Sequence, residues 1–140
     1  MVFNSKEYSF CDVSVYALGR PIVTLRGIEY KTKKNKEVLY AAGETPRSIQ
    51  HGKREVEGTV TILQSDLIAL NRAAQEAGKT DCLDLDVDLV ITYASEDGIV
   101  TTDKIIQASF TEDAYSMKEG DLYMECPLPF IAMDIKKNVI

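Results

Sequence analysis

The chain has 140 residues, 45% of them hydrophobic and 27% charged, which is the composition of a globular domain large enough to bury a core. Its net charge of −6 argues against a general nucleic-acid binder, whose affinity rests on Lys and Arg, and suits a surface that nucleic acid passes without adhering. No apolar run approaches the roughly 18 residues of a membrane-spanning helix, and Met1 to Glu7 contain no apolar signal-peptide core, so synthesis in the cytoplasm without a cleaved signal is expected. The three cysteines, Cys11, Cys82 and Cys126, are far apart and set among apolar residues, the pattern of reduced thiols in a core.

In chain order, Phe10 to Leu18 alternates apolar and polar residues as a strand does, and Gly19-Arg20-Pro21 punctuates it. Ile22 to Tyr30 resumes the alternation, so a hairpin is the economical connection. Lys31 to Lys36 is the one basic cluster and reads as a solvated hairpin tip, across which Val38 to Ala42 pairs back on the preceding strand. Ala42 to Gly52 is polar and turn-rich, so residues 31–52 are predicted to form one long loop.

Val56, Gly58, Val60 and Ile62 then share one face of a strand, and Gly58 in its middle points to a bulge or a close backbone approach. Ser65 is placed to cap a helix, Asp66 to favour its N-terminus, and Leu67, Leu70, Ala74 and Ala77 fall on one face before Gly78 stops it. Leu85 to Tyr93 and Ile99 to Thr111 read as strands joined by the turn Ser95-Glu96-Asp97-Gly98. Leu122 to Ile135 is a last long strand, in which Pro127 and Pro129 remove donors from the same edge. The sum is a single mainly β domain, a barrel or sandwich of about five to seven antiparallel strands with one flanking helix. Its sheet edges need cover, which neighbouring subunits would supply.

Catalytic chemistry finds little support. His51 is the lone histidine and no nucleophile motif accompanies it. Asp84, Asp86 and Asp88 would share a strand face, but Leu89 stands where a calcium loop requires glycine, so an acidic ridge is expected rather than a metal site. No phosphate-cradling glycine motif is present, and no cofactor is implied.

Three stretches resemble the tail tube proteins of phages and related contractile particles. These are the unit from Gly43-Glu44-Thr45-Pro46 through Gly58-Thr59-Val60-Thr61 to Leu67-Ile68-Ala69-Leu70, the run Phe110 to Asp121, and the ending Pro127-Leu128-Pro129-Phe130-Ile131-Ala132. The resemblance implies subunits that form hexameric rings and stack into a hollow tube in the virion tail, for passage of DNA or effectors. DNA would be cargo without specific binding, and sheath, baseplate and tape-measure proteins would be further partners. It places Pro46, Arg47, Ile49, Gln50 and His51 at subunit contacts and Asp84, Asp86 and Asp88 facing the channel. The alternatives are a secretion-needle, baseplate or adaptor ring and a small-ligand-binding β-barrel with its pocket at the mouth.

Overall fold

The computed structural model describes residues 13–94, 98 and 100–139. Cys11 and all of the Ser95 to Gly98 turn except Gly98 lie outside them; Gly98 itself has φ +80°, as a turn glycine should.

Among the described residues eight strands form one antiparallel sheet: β1 (Val13–Ala17), β2 (Arg20–Pro21), β3 (Gly27–Tyr40), β4 (Pro46–Leu63), β5 (Asp86–Ala94), β6 (Val100–Phe110), β7 (Glu125–Ala132) and β8 (Asp134–Lys136). The strand order is β2-β1-β5-β6-β7-β4-β3, with β8 added to β6. An α-helix, α1 (Gln64–Glu76), follows β4, and a 3-10 turn, Cys82–Asp84, precedes β5.

The sheet curls onto itself, because Tyr30 of β3, at one end of the strand order, hydrogen-bonds through its hydroxyl to residues of β5 and β6 in the other half. Period-two alternation directs Val15, Val60, Ile62, Leu89, Ile91 and Ile105 into the enclosed space, which they fill at 0 or 1% exposure. Leu67, Leu70 and Ala74 of α1 close this core from the side, and Phe110 and Phe130 meet edge to face at 6.4 Å.

Several expected boundaries are corrected by pairing partners that lie far off in sequence. The stretch 22–30 is not one strand: residues 22–26 leave the sheet to cross under α1, where the Thr24 amide and hydroxyl both donate to the Asp66 carboxylate. Asp66 therefore clasps a loop, and the Thr24 hydroxyl accepts the Leu63 amide. The helix begins at Gln64 with Leu63 at the N-cap position and no side-chain cap, so Ser65 does not cap it. The last strand starts at Glu125 and breaks at Met133, whose amide reaches the Ile106 carbonyl between β7 and β8.

The prolines of β7 behave as their chemistry requires. Along its whole length β7 pairs with β4, yet with β6 it pairs only through Ser109 and Phe110. Thr111 donates to the Pro129 carbonyl, so the donor-less edge of Pro127 and Pro129 faces the side where the β6 ladder ends. Gly58 lies in an unbroken register between Tyr30 and Phe130, and a Cβ there would stand 2.3 Å from the Glu29 carbonyl oxygen and 2.7 Å from Phe130 Cζ. Close approach, not a bulge, is what the glycine serves.

Candidate assembly surface

The predicted loop 31–52 is chiefly strand. Lys31 to Lys36 lie in mid-β3, all but Asn35 in register with a β4 residue, and the true hairpin tip is 41–45, where Gly43 takes φ +113°. Polar residues alternating on a solvated ribbon carry no apolar signal of strand, yet their backbones pair fully with one another. From Lys33 to Glu55 every residue is exposed, so the distal halves of β3 and β4 project from the barrel as a bare two-stranded ribbon. The eight residues from Lys33 to Tyr40 alone extend roughly 25 Å at the usual strand rise.

The register sorts the ribbon's side chains. Val38 is opposite Ile49, Tyr40 opposite Pro46 and Lys36 opposite His51 on one face. Glu37 with Gln50 and Leu39 with Ser48 form the other, where Gln50 Nε2 donates to the Ser48 hydroxyl at 2.8 Å. Arg47 is the extra residue at a register shift between Leu39 and Tyr40, and a second shift sets Asn35 against both Gly52 and Lys53. Of the predicted contact residues, the structure thus groups Pro46, Ile49 and His51 on one face, turns Gln50 to the opposite face, and places Arg47 at a bulge. Beside them it exposes three apolar side chains that sequence reading left out, Val38 and Tyr40 on the Ile49 face and Leu39 on the other, whose signal was an apolar run ending in an aromatic beside the turn. Val38, Tyr40 and Ile49 are 43, 60 and 58% exposed. By alternation along β3 they continue the side that Ile28 and Tyr30 present to the core, carried past the point where the core stops.

A ribbon of two strands is at best marginally stable in water, and an apolar face along it is a surface made to be covered. His51 is exposed beside Lys36, with no hydrogen-bond partner among the described residues, so the geometry offers no base–nucleophile pair.

The acidic residues are not one ridge. Asp84 ends the 3-10 turn, so only Asp86 and Asp88 share the exposed face of β5. Asp81 caps that turn by accepting the Leu83 amide at 3.0 Å. Asp88 has a local duty as well: the ladder slips between Val87 and Leu89, Gln107 adopts φ +52° there, and its amide donates to Asp88 Oδ1 at 2.9 Å. Lys104 Nζ stands 4.0 Å from the other oxygen. Among the described residues no group of His, Cys, Asp or Glu could hold a metal ion.

One inward carboxylate escaped sequence reading. Asp103 is 9% exposed and accepts the Tyr30 hydroxyl and, at 3.0 Å, the Asn138 amide, while Tyr93 donates to Tyr30. Burial, reinforced by these hydrogen bonds, raises the Tyr30 phenol far above its ordinary value. Burial likewise pushes the Cys82 thiol up to about 11 and raises that of Cys126. The signal for Asp103 was available: by alternation it stands on the same face as Ile105.

The ribbon, the curled sheet and the single flanking helix together match structures already solved. A chain of the anti-feeding prophage cap, described as the tube terminating cap, superposes over 100% of this chain and 96% of its own, with a TM-score of 0.75 at 11% identity. The chain has the tail tube fold. The same fold appears in a chain of the extended sheath–tube complex of an extracellular contractile injection system, with a TM-score of 0.73 at 10% identity over 97 and 94% of the two chains. It appears again in the SPP1 tail tube, with a TM-score of 0.69 at 14% identity over 96 and 80%. No family profile and no curated protein sequence matches the chain. At these identities it is the course of the backbone that is shared with the tail tube fold, while the side chains that cover its surfaces are this chain's own.

Proposed function

We propose that this chain is a structural, self-assembling subunit of the tail tube of a phage or phage-like particle. Copies close into rings, hexameric by analogy with the family resemblance, and the rings stack around a channel for DNA or effectors. Sheath, baseplate and tape-measure proteins are its further partners, and the particle's tail is its location. The observation that carries this reading is the exposed ribbon from Lys33 to Glu55, whose apolar face has no cover among the described residues. Its role is geometric: a head-to-tail contact repeated between identical subunits closes a ring or extends a column. The exposed Asp86 and Asp88 of β5, with Asp84 in the 3-10 turn before it, serve as channel-facing charges that keep DNA from adhering.

Replacing Arg47 and Ile49 with alanine tests the reading. Both side chains are exposed in the monomer, so its melting temperature should move by no more than about 2 °C. Sedimentable assembly should fall at least severalfold. Unchanged assembly would remove these residues from the contact. A terminating ring is the second reading, favoured by the likeness to a tube cap. Columns of many rings point to a tube subunit, and single rings that bind preformed tubes point to a terminator.

A further inference from the structure

The ribbon and the far end of the barrel carry opposite charge and matching apolar groups. Between Lys33 and Glu55 stand six cations and three carboxylates, a net +3 in a chain of net −6, so the remainder carries −9. The cations at the ribbon's base, Lys33, Lys34, Lys36, Lys53 and Arg54, have no ion-pair partner among the described residues. They form a basic band around the two strands where Asn35 meets the bulge at Gly52 and Lys53.

Register locates the opposite end. Glu57, Ile131, Ser109 and Asp86 form one row across β4, β7, β6 and β5, and the ribbon leaves the sheet just beyond it. In the other direction β6 runs out past Phe110 into the segment 111–124, which returns as β7 at Glu125, opposite Leu63 at the far end of β4. This segment is fastened to the barrel by a hydrogen bond of 3.1 Å from Asn71 of α1 to the Tyr115 hydroxyl, and Tyr123 lies under the Arg26 guanidinium at 5.3 Å. It carries Glu112, Asp113, Glu119 and Asp121 against the single cation Lys118. It also exposes Tyr115, Met117, Tyr123 and above all Leu122, which is 93% exposed.

We infer that the ribbon of one copy docks head to tail on the 111–124 segment of a second copy. The basic band meets Glu112, Asp113 and Glu119, and the apolar face of Val38, Tyr40 and Ile49 meets Leu122 and its aromatic neighbours. This rests on the tail tube reading and adds which surface of the next copy receives the ribbon. Opposite charge at the two ends favours head-to-tail approach over head-to-head, where like charges face each other, so growth of the column has one polarity. Such contacts lie within reach of solvent and weaken with salt.

The test is a charge swap in the full chain. Lys33→Glu, Lys34→Glu and Lys36→Glu together should lower stacking by about tenfold to a hundredfold, since three attractive exposed pairs become repulsive. Glu112→Lys, Asp113→Lys and Glu119→Lys together should do the same. The protein carrying all six changes should stack again, and wild-type stacking should weaken between low and high sodium chloride. Circular dichroism melts establish that each variant is folded, and an alanine version of each triplet provides milder variants should a reversed one not fold. Variants that stack like wild type, or a six-fold variant that stays unstacked while folded, overturn this docking and leave the tube reading intact. Wild-type protein that never leaves the monomeric state overturns both.

Discussion

Of the described glycines, Gly58 has the least room for a side chain. The hydrogen of an added methyl is not the difficulty; the carbon itself would sit 2.3 Å from the Glu29 carbonyl oxygen, 2.7 Å from Phe130 Cζ and 2.8 Å from Tyr30 Cα. Two of those three atoms are backbone in β3, held by ladder bonds on both sides of the contact. Only the Phe130 ring could turn aside, and it is 2% exposed against Phe110. Overpacking of a core costs about 1–3 kcal/mol, and a clash with fixed backbone places Gly58→Ala at the upper end. For a domain of this size about 3 kcal/mol corresponds to roughly 10 °C in melting temperature. Thermal denaturation followed by circular dichroism, at a concentration where the protein is monomeric, measures it. Adding Phe130→Leu should recover less than half of the loss, because the Glu29 carbonyl remains in the way. A melting temperature within about 2 °C of wild type would refute the reasoning, since so small a shift means the strands part without cost.

Two further outcomes follow from individual side chains. Asp88→Ala strips the Gln107 amide of its acceptor at a strained bulge and should destabilise by about 1 kcal/mol, whereas Asp86→Ala on the same face should change the urea midpoint by less than about 0.5 kcal/mol equivalent; equal effects would contradict the bulge assignment. Tyr30→Phe should cost about 1–3 kcal/mol at neutral pH by leaving buried Asp103 with one partner fewer. It should also flatten the alkaline limb of stability. Because the folded phenol holds its proton above the ordinary value of 10.0, the native state binds more protons than the unfolded chain there, and wild-type stability falls as pH rises past 10. Guanidinium titrations at pH 8 and above check the sign, and a wild-type stability that rises with pH in that range would contradict it.

Where apolar alternation is strong, as in Val56 to Ile62 and Val87 to Ile91, the strands were legible because one face of each is core. The leading half of β4 was not legible, since Pro46 to Glu55 contact only solvent and β3, and a solvated ribbon has no hydrophobic period to read. The same physics hid the hairpin tip: a run of lysines looks like a turn until its backbone partners are known. Gly58 announced a close approach but not which atoms approach. Ser65 matched a capping pattern, and tertiary structure overrode it by drawing Asp66 to Thr24 and starting the helix two residues earlier, with Leu63 at the N-cap position. Asp84 belonged by spacing to Asp86 and Asp88, until the 3-10 turn that Asp81 caps took it off the strand. For the exposed ribbon, sequence reading singled out residues on its β4 strand, and the exposed Val38 and Tyr40 facing them on β3 emerged only from cross-strand register.

On the proposed function, another copy of the chain covers the ribbon. Light scattering coupled to size exclusion, followed by negative-stain imaging, tests it on two proteins: the wild type, and a variant in which Lys34 to Arg54 is replaced by a two-residue β-turn. The wild type should form rings and stacked columns as its concentration rises, and the shortened chain should remain a folded monomer with a cooperative melt. A wild type that stays monodisperse and monomeric at high concentration and across salt, or a shortened chain that stacks as well as the wild type, would contradict the account.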